Sequence, residues 1–390
     1  MIKKNDLPGA RELKERLDTV KSVGSVADLK ERLAELWPAF ASENLQEIAI
    51  VGAADEGVRL AALCARHKIA LRGIADDNPV RQGQSVEGRK VTAVDELDRL
   101  DRGTPVIVAS HRALLPVRRL RNMRFTNVAP FLLLQELDPV RFPPHMFHNG
   151  LLEDLVQNLP HYRELNEIVA DDRSRSVLAA VIDYRLNADP EVLDSIVEWD
   201  LYDPNNLLIY GTDEVYVDGG AYDGDSIRLF IKRVRNQFTK VIAFEPDPAT
   251  FDRLKANFAG EPRVHTVKAG LHQAKATLSF DNAGTRGSIL TSTGAATVSV
   301  VGLDEVLNGE RVTFVKLNIE GAEIDALEGA AASIRRWAPK LAVAAYHIPN
   351  HIWRVPVEIR SLRPDYEIYF RQHDGGIIET VTYALSPRAT

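Results

Sequence analysis

Residues 215–226 read VYVDGGAYDGDS, a run that begins as a buried strand and then breaks into glycines at Gly219, Gly220 and Gly224. Carboxylates punctuate it at Asp218, Asp223 and Asp225. A glycine turn after a strand lets a ligand approach the backbone, and the amides of the following helix can hold an anionic group. The acids set the charge of that ligand. They repel a pyrophosphate and attract an ammonium or a sulfonium. One carboxylate about 5 Å from a cation contributes about 3 kcal/mol at an effective dielectric near 20. The loop therefore favours S-adenosylmethionine over a dinucleotide. Glu245 and Pro246 follow in VIAFEPDP, residues 241–248. A carboxylate there can accept both hydroxyls of a ribose, and Pro246 stops the strand so that the acid projects from the sheet edge.

A second group of residues suits proton removal. FVKLNIEGAEIDALEGA, residues 314–330, places Glu320 and Gly321 at a strand end, with Glu323 in the first turn of the next helix. An acid at the position of Glu323 also reads as a solvated residue stabilised by the helix dipole. AAYHIPNHIW, residues 344–353, brings Tyr346 and His347 to the same rim. Ligands collect at the strand ends of open α/β sheets, so Glu320 and His347 are the candidates to take a proton from an acceptor. The chain has no CxxC, no HExxH and no clustered histidine, and no metal site is expected.

These residues need a sheet to hold them. From residue 214 the pattern alternates strands, over 215–219, 240–244, 264–269, 313–319 and 341–346, with helices over 225–236, 248–258 and 322–335. Short strands are expected at 277–280, 288–291 and 297–301, and a closing hairpin from 366–373 and 377–385. A parallel sheet ended by an antiparallel hairpin is the Rossmann-like architecture of class I methyltransferases. Upstream, helices over 10–40 precede strands at 48–53, 69–77 and 106–110 and a helix at 57–67, which predicts a smaller Rossmann-like α/β domain. The expected division is 1–140 for the N-terminal helices and this domain, 141–205 for a helical linker, and 206–390 for the methyltransferase-like domain.

The N-terminal domain has its own glycine turn, IVGAADEG, residues 50–57, with Ala53 and Ala54 where a dinucleotide site needs a middle glycine. Asp76 and Asp77 end the next strand. The turn reads either as purely structural or as a nucleotide or nucleotide-sugar site. GIADDNPVRQGQSVEGRKV, residues 73–91, resembles the nucleotide-sugar-binding domain of bacterial sugar-modifying enzymes. Arg118, Arg119, Arg121 and Arg124 read as a solvated helix face or as a diphosphate site.

Composition sets outer bounds. The 390 residues suffice for two or three domains. A net charge of -7 argues against a broad nucleic-acid-binding surface. Cys64 is the one cysteine, so no intrachain disulfide can form, as suits a reducing compartment. The sequence shows no apolar run long enough for a membrane span and no apolar signal core at its charged start, so the cytoplasm is the expected location. The oligomeric state is not legible.

Taken in order, VDGGAYDGD, AFEPDP, VKLNIEGAE with LEGA, the YH after the fifth strand, and the closing YEIYFRQH and TVTYALSP resemble the FkbM family of S-adenosylmethionine-dependent methyltransferases, over residues 177–387. The resemblance implies S-adenosylmethionine as cofactor and O-methylation of a sugar or glycan-type hydroxyl. Asp218, Gly219, Gly220, Asp223, Gly224, Asp225, Glu245 and Pro246 would then bind cofactor, with Asn318, Glu320 and His347 on the acceptor side. The family usually carries Asp at the position of Asn318. Asparagine keeps the hydrogen-bonding shape without the charge, which passes a base role to Glu320 or His347. Two other readings stand beside it: a nucleotide-sugar-binding module with an inactive methyltransferase fold, and a dehydrogenase with two dinucleotide folds. The missing G-x-G-x-x-G and the acidic loop weigh against the dehydrogenase.

Overall fold

The computed structural model of the chain describes residues 7–202, 204, 207–281, 289–290 and 296–387. It comprises two compact units. One contains Met1–Glu167, Asp171–Trp199 and Gln372–Glu379, and the other Ile168–Ala170, Asp200–Arg371 and Thr380–Thr390. The stretch expected as a linker over 141–205 is thus divided, most of it folding with the first unit. The reason lies in the helix Asp172–Asn187, which buries Val177, Leu178, Ile182 and Tyr184 together with Ser174 and Arg175. A helix buried all round is core, not spacer. Its Asp172 carboxylate also accepts the amides of Gly9 and Ala10 at 3.1 and 3.2 Å. Those are first-turn donors of the helix Pro8–Val23, whose N-cap Leu7 has no side-chain acceptor to offer.

Among the described residues the first unit carries six strands: β1 (Glu47–Val51), β2 (Ala70–Ala75), β3 (Ser85–Val86), β4 (Arg89–Thr92), β5 (Val106–Val108) and β6 (Val128–Pro130). Their order is β3-β4-β2-β1-β5-β6, parallel throughout except for β3 against β4. The short, polar β3 and β4 have too little apolar pattern to be read from sequence. Pro130 made β6 hard to read as well, and it is tolerated because β6 lies at the sheet edge.

The second unit holds β7 (Val215–Gly219), β8 (Lys240–Phe244), β9 (Val264–Val267), β10 (Gly270–Leu271), β11 (Ala276–Asp281), β12 (Ile289–Leu290), β13 (Ala296–Val301), β14 (Phe314–Leu317), β15 (Lys340–Ala344), β16 (Glu367–Gln372) and β17 (Thr380–Leu385). The main sheet runs β16-β17-β15-β14-β7-β8-β9. Its pairs from β15 to β9 are parallel, and β17 lies antiparallel to β15. The inserted strands form a second sheet, β10-β13-β11-β12. The strand expected at 288–291 falls partly outside the described residues. Every residue of β7 and β14 is buried, as strands covered on both faces must be. The helix expected over 322–335 is two helices, Glu323–Glu328 and Ala331–Trp337. It breaks at Gly329, where a Cβ would stand 2.1 Å from the His272 carbonyl oxygen.

No helix among the described residues is long and apolar enough to cross a membrane. In the second unit the chain order reverses between β7 and β14. The crevice beyond their carboxyl ends is the position at which open α/β sheets bind ligands.

Candidate active site

The glycines of the loop after β7 answer to packing within the protein. Gly220 has φ +77°, and a Cβ there would lie 2.0 Å from the Asn318 carbonyl oxygen. Gly224 has φ +90°, and its Cβ would meet the Phe258 ring at 2.1 Å. A Cβ on Gly219 would press on Leu317 and Leu271 at 2.9 and 3.0 Å. The close approach is therefore first of all that of β14 to the loop, which draws the two halves of the crevice together.

The loop's charge is also more balanced than its composition implies. Asp218 is fully buried and pairs with Lys316 at 2.8 Å, while also accepting the Ser226 hydroxyl. Lys316 Nζ donates further to the Gly219 and Gly220 carbonyls at 3.2 and 2.8 Å. Asp223 pairs with Arg228 at 2.9 Å. Asp225 opens the helix Asp225–Arg233 and accepts the amide of Ser226 at 2.8 Å. Asp218 and Lys316 thus brace the loop from beneath. Sequence reading missed Lys316, although a lysine inside the apolar run FVKLNI was the available signal.

Glu245 stands where β8 ends, 8% exposed. Its Oε2 accepts the Tyr222 amide at 3.0 Å and its Oε1 the Asp247 amide at 2.9 Å. Each oxygen keeps lone-pair capacity for a further donor, which suits a vicinal diol. Pro246 follows, and Asp247 caps the helix Pro248–Asn257 by accepting the Thr250 amide at 2.8 Å. Burial pushes the Glu245 carboxyl up to about 7, against the opposing pull of the Asp247 and Tyr222 amides. In the free protein the ionised form is the costly one, so this group's contribution to stability declines as pH rises from its ordinary 4.5 through about 7. Hydroxyl donors prefer the ionised form. Cofactor affinity is therefore expected to rise with pH through about 7 and then level off, by titration calorimetry between about pH 5.5 and 8.5. A flat profile would remove Glu245 from ribose binding.

A second rim of the crevice forms at the ends of β14 and β15. Asn318 donates to the Tyr202 hydroxyl at 2.7 Å and accepts the Tyr346 hydroxyl at 3.3 Å, so a neutral amide bridges two tyrosines. Glu320 adopts φ +55° and Gly321 φ +103°. Tyr202 and Tyr222 are also left-handed, at +60° and +49°. Such conformations cost about 1–3 kcal/mol in a non-glycine residue and cluster at functional sites. His347 has a fully buried side chain, with Nε2 3.6 Å from Glu320 Oε2 and Nδ1 2.8 Å from Glu323 Oε1. His351 Nδ1 lies 3.2 Å from Glu323 Oε2, and the Ile319 amide donates to Glu323 Oε1 at 2.9 Å. Burial alone would raise the Glu323 carboxyl, but the charges and hydrogen bonds of His347 and His351 hold it far below its usual range. With Glu323 ionised, His347 Nδ1 must carry the hydrogen that it donates, which turns Nε2 toward Glu320.

The structure thus joins Glu320 and His347, as the sequence suggested, and orders them. Glu320 is partly exposed and His347 lies behind it. Glu323 is no solvated helix-turn acid: its side chain is wholly buried. The sequence names Glu323 but not its burial against His347, and His351 is the residue that sequence reasoning missed here. Among the described residues no group of histidines, cysteines and acids is arranged to hold a metal.

This sheet order, with a carboxylate at the end of its second strand, defines a Rossmann-like methyltransferase domain. Residues 218–370 match the model of the methyltransferase FkbM domain. S-adenosylmethionine is the cofactor. The crystal structure of Methyltransferase FkbM from Methylobacillus flagellatus shares the fold, with a TM-score of 0.75 at 22% identity over 97% of this chain and 99% of that one. Hexuronic acid methyltransferase AglP of Haloferax volcanii is 34% identical over 96 residues, 23% of this chain. The match spans 40% of that relative's length.

Proposed function

We propose that this protein transfers a methyl group from S-adenosylmethionine to a hydroxyl of a saccharide-type acceptor. The observation that carries the reading is the chain Glu320–His347–Glu323, which begins at the crevice and runs into the core. S-adenosylmethionine supplies an activated methyl group with a neutral thioether to leave, so the protein has to align the partners and accept one proton. A hydroxyl acceptor needs that proton removed as its oxygen is alkylated. Glu320 takes it from the acceptor. His347 Nε2 lies behind Glu320, and buried Glu323 fixes the ring through its other nitrogen. Glu245 holds the ribose, and the loop braced by Asp218 and Lys316, from Gly219 through Asp225, lines the rest of the cofactor site. Asn318 sets the tyrosine hydroxyls of Tyr202 and Tyr346 at the acceptor rim. The sugar class is supported by the hexuronic acid named for the Haloferax relative. The buried Cys64 suits a reducing cytoplasm.

The test is release of S-adenosylhomocysteine over a panel of uronic acids, neutral sugars and amines. Methylation of hexuronic acids or other sugar hydroxyls supports the reading. Turnover with amines alone overturns the oxygen assignment, and no turnover with any acceptor overturns it in favour of a binding module. Glu245→Ala is expected to weaken S-adenosylmethionine binding by about 100-fold. That is the loss of two hydrogen bonds to a charged group, about 3 kcal/mol in total. Unchanged affinity by calorimetry would place the ribose elsewhere.

A further inference from the structure

The glycine turn of the first unit repeats the bonding pattern of the cofactor site. After β1, Gly52 turns with φ +102° and donates its amide to the Ala75 carbonyl at 2.8 Å. After β7, Gly220 has φ +77° and donates to the Phe244 carbonyl at 3.1 Å. Asp76 follows β2 as Glu245 follows β8, and each is 8% exposed. One oxygen of Asp76 accepts the loop amide of Ala53 at 2.7 Å, and the other accepts the amide two residues on, Asn78, at 2.8 Å. Glu245 makes the corresponding pair with Tyr222 and Asp247. In both sheets the acid ends the strand beside the first strand, next to the point where strand order reverses.

A cleft of about 410 Å³ opens at this place, lined by Gly52, Asp76, Ser110, Leu115, Arg81 and Arg119 among others. Leu115 is 57% exposed, an apolar platform of the kind that a flat base can cover. Arg81 Nη1 lies 3.4 Å from Asp76 Oδ2, and Arg119 bonds Asp77 and Asp95. The helix Asp55–Arg66 begins with Asp55 and Glu56. That acidic first turn is a poor seat for phosphate, so the anionic part of a ligand belongs on the arginine side and not at the helix terminus where a dinucleotide places its pyrophosphate.

We propose that this cleft is a second ligand site, which takes a nucleoside diphosphate, free or sugar-linked, with its ribose on Asp76 and its phosphates on Arg81 and Arg119. The proposal is independent of methyl transfer, because every group it uses lies in the first unit.

The full-length chain should be titrated calorimetrically with ADP, GDP and UDP, with UDP-linked sugars, and with inorganic pyrophosphate. Saturating S-adenosylhomocysteine is kept present so that nucleotide cannot occupy the Glu245 site. At least one nucleoside diphosphate is expected to bind, and Arg81→Ala and Asp76→Ala are each expected to weaken it by about tenfold or more, the value of one hydrogen bond to a charged group. Arg81 is a rim residue whose side chain is 37% exposed and bonds Asp76 alone among the described residues, so its variant reads binding even if loss of Asp76 loosens the turn. Tighter binding of a UDP-sugar than of UDP identifies the linked form as the ligand, and equal binding identifies the free nucleotide. No binding at about 1 mM ligand, binding of pyrophosphate as tight as that of the nucleotides, or indifference to Arg81→Ala would overturn the assignment.

Discussion

Replacing Glu320 with glutamine is expected to lower turnover by about 10²–10⁴-fold, the range that a positioned proton acceptor contributes, while S-adenosylmethionine affinity is retained. Glutamine keeps the size and one acceptor oxygen but cannot take the proton. The left-handed backbone at Glu320, φ +55°, is the same for both residues, so the change isolates the charge. His347→Gln is expected to follow it with a smaller loss and an altered pH profile. Its ring is fully buried behind Glu320, so the expected role is that of a positioning group acting through Glu320. A purely structural role for His347 would lower melting temperature and leave the pH dependence of the remaining kcat/KM as in the wild type. Full turnover in Glu320→Gln would remove the carboxylate from the chemistry, and His347 with it.

The parts of the fold that could be read from sequence are those whose signal is local. The strands β7 and β8 lie at the expected residues because each is a short apolar run ended by a glycine or by Glu245–Pro246. Glu245 was legible for the same reason: a strand, a proline and a helix cap place it within a few residues. What could not be read depends on register between distant segments. Lys316 pairs with Asp218 across 98 positions, and only the parallel pairing of β14 with β7 sets them side by side. Glu323 looked like an ordinary first-turn acid because its partners His347 and His351 arrive from beyond β15. The glycines carry a further constraint that their spacing does not display: Gly220 makes room for the Asn318 carbonyl and Gly224 for the Phe258 ring. The N-terminal turn was left open by its missing middle glycine. Its resemblance to the loop after β7 lies in hydrogen bonds that Asp76 accepts from the Ala53 and Asn78 amides, which no residue pattern displays.

Lys316→Met is expected to destabilise the folded protein by about 3–5 kcal/mol, measured by urea unfolding, because it strands the buried carboxylate of Asp218 without its cation. The side chains of the pair are 3% and 0% exposed, so water cannot replace the lost partner. The Gly219 and Gly220 carbonyls lose their shared donor at the same time, and the loop that frames the cofactor is released from β14. Cofactor affinity should therefore fall with stability, although Lys316 is too deeply buried to be read as a contact of the acceptor. The double variant Lys316→Met with Asp218→Asn separates charge from shape. Asparagine can still accept the Ser226 hydroxyl, and no unpaired charge remains, so the double variant should recover most of the lost stability. A coupling of about 2 kcal/mol or more between the two positions is the signature of a buried pair. Additive losses would mean that Lys316 acts through packing alone, and the brace between β14 and the glycine loop would then rest on the Gly220–Asn318 contact instead.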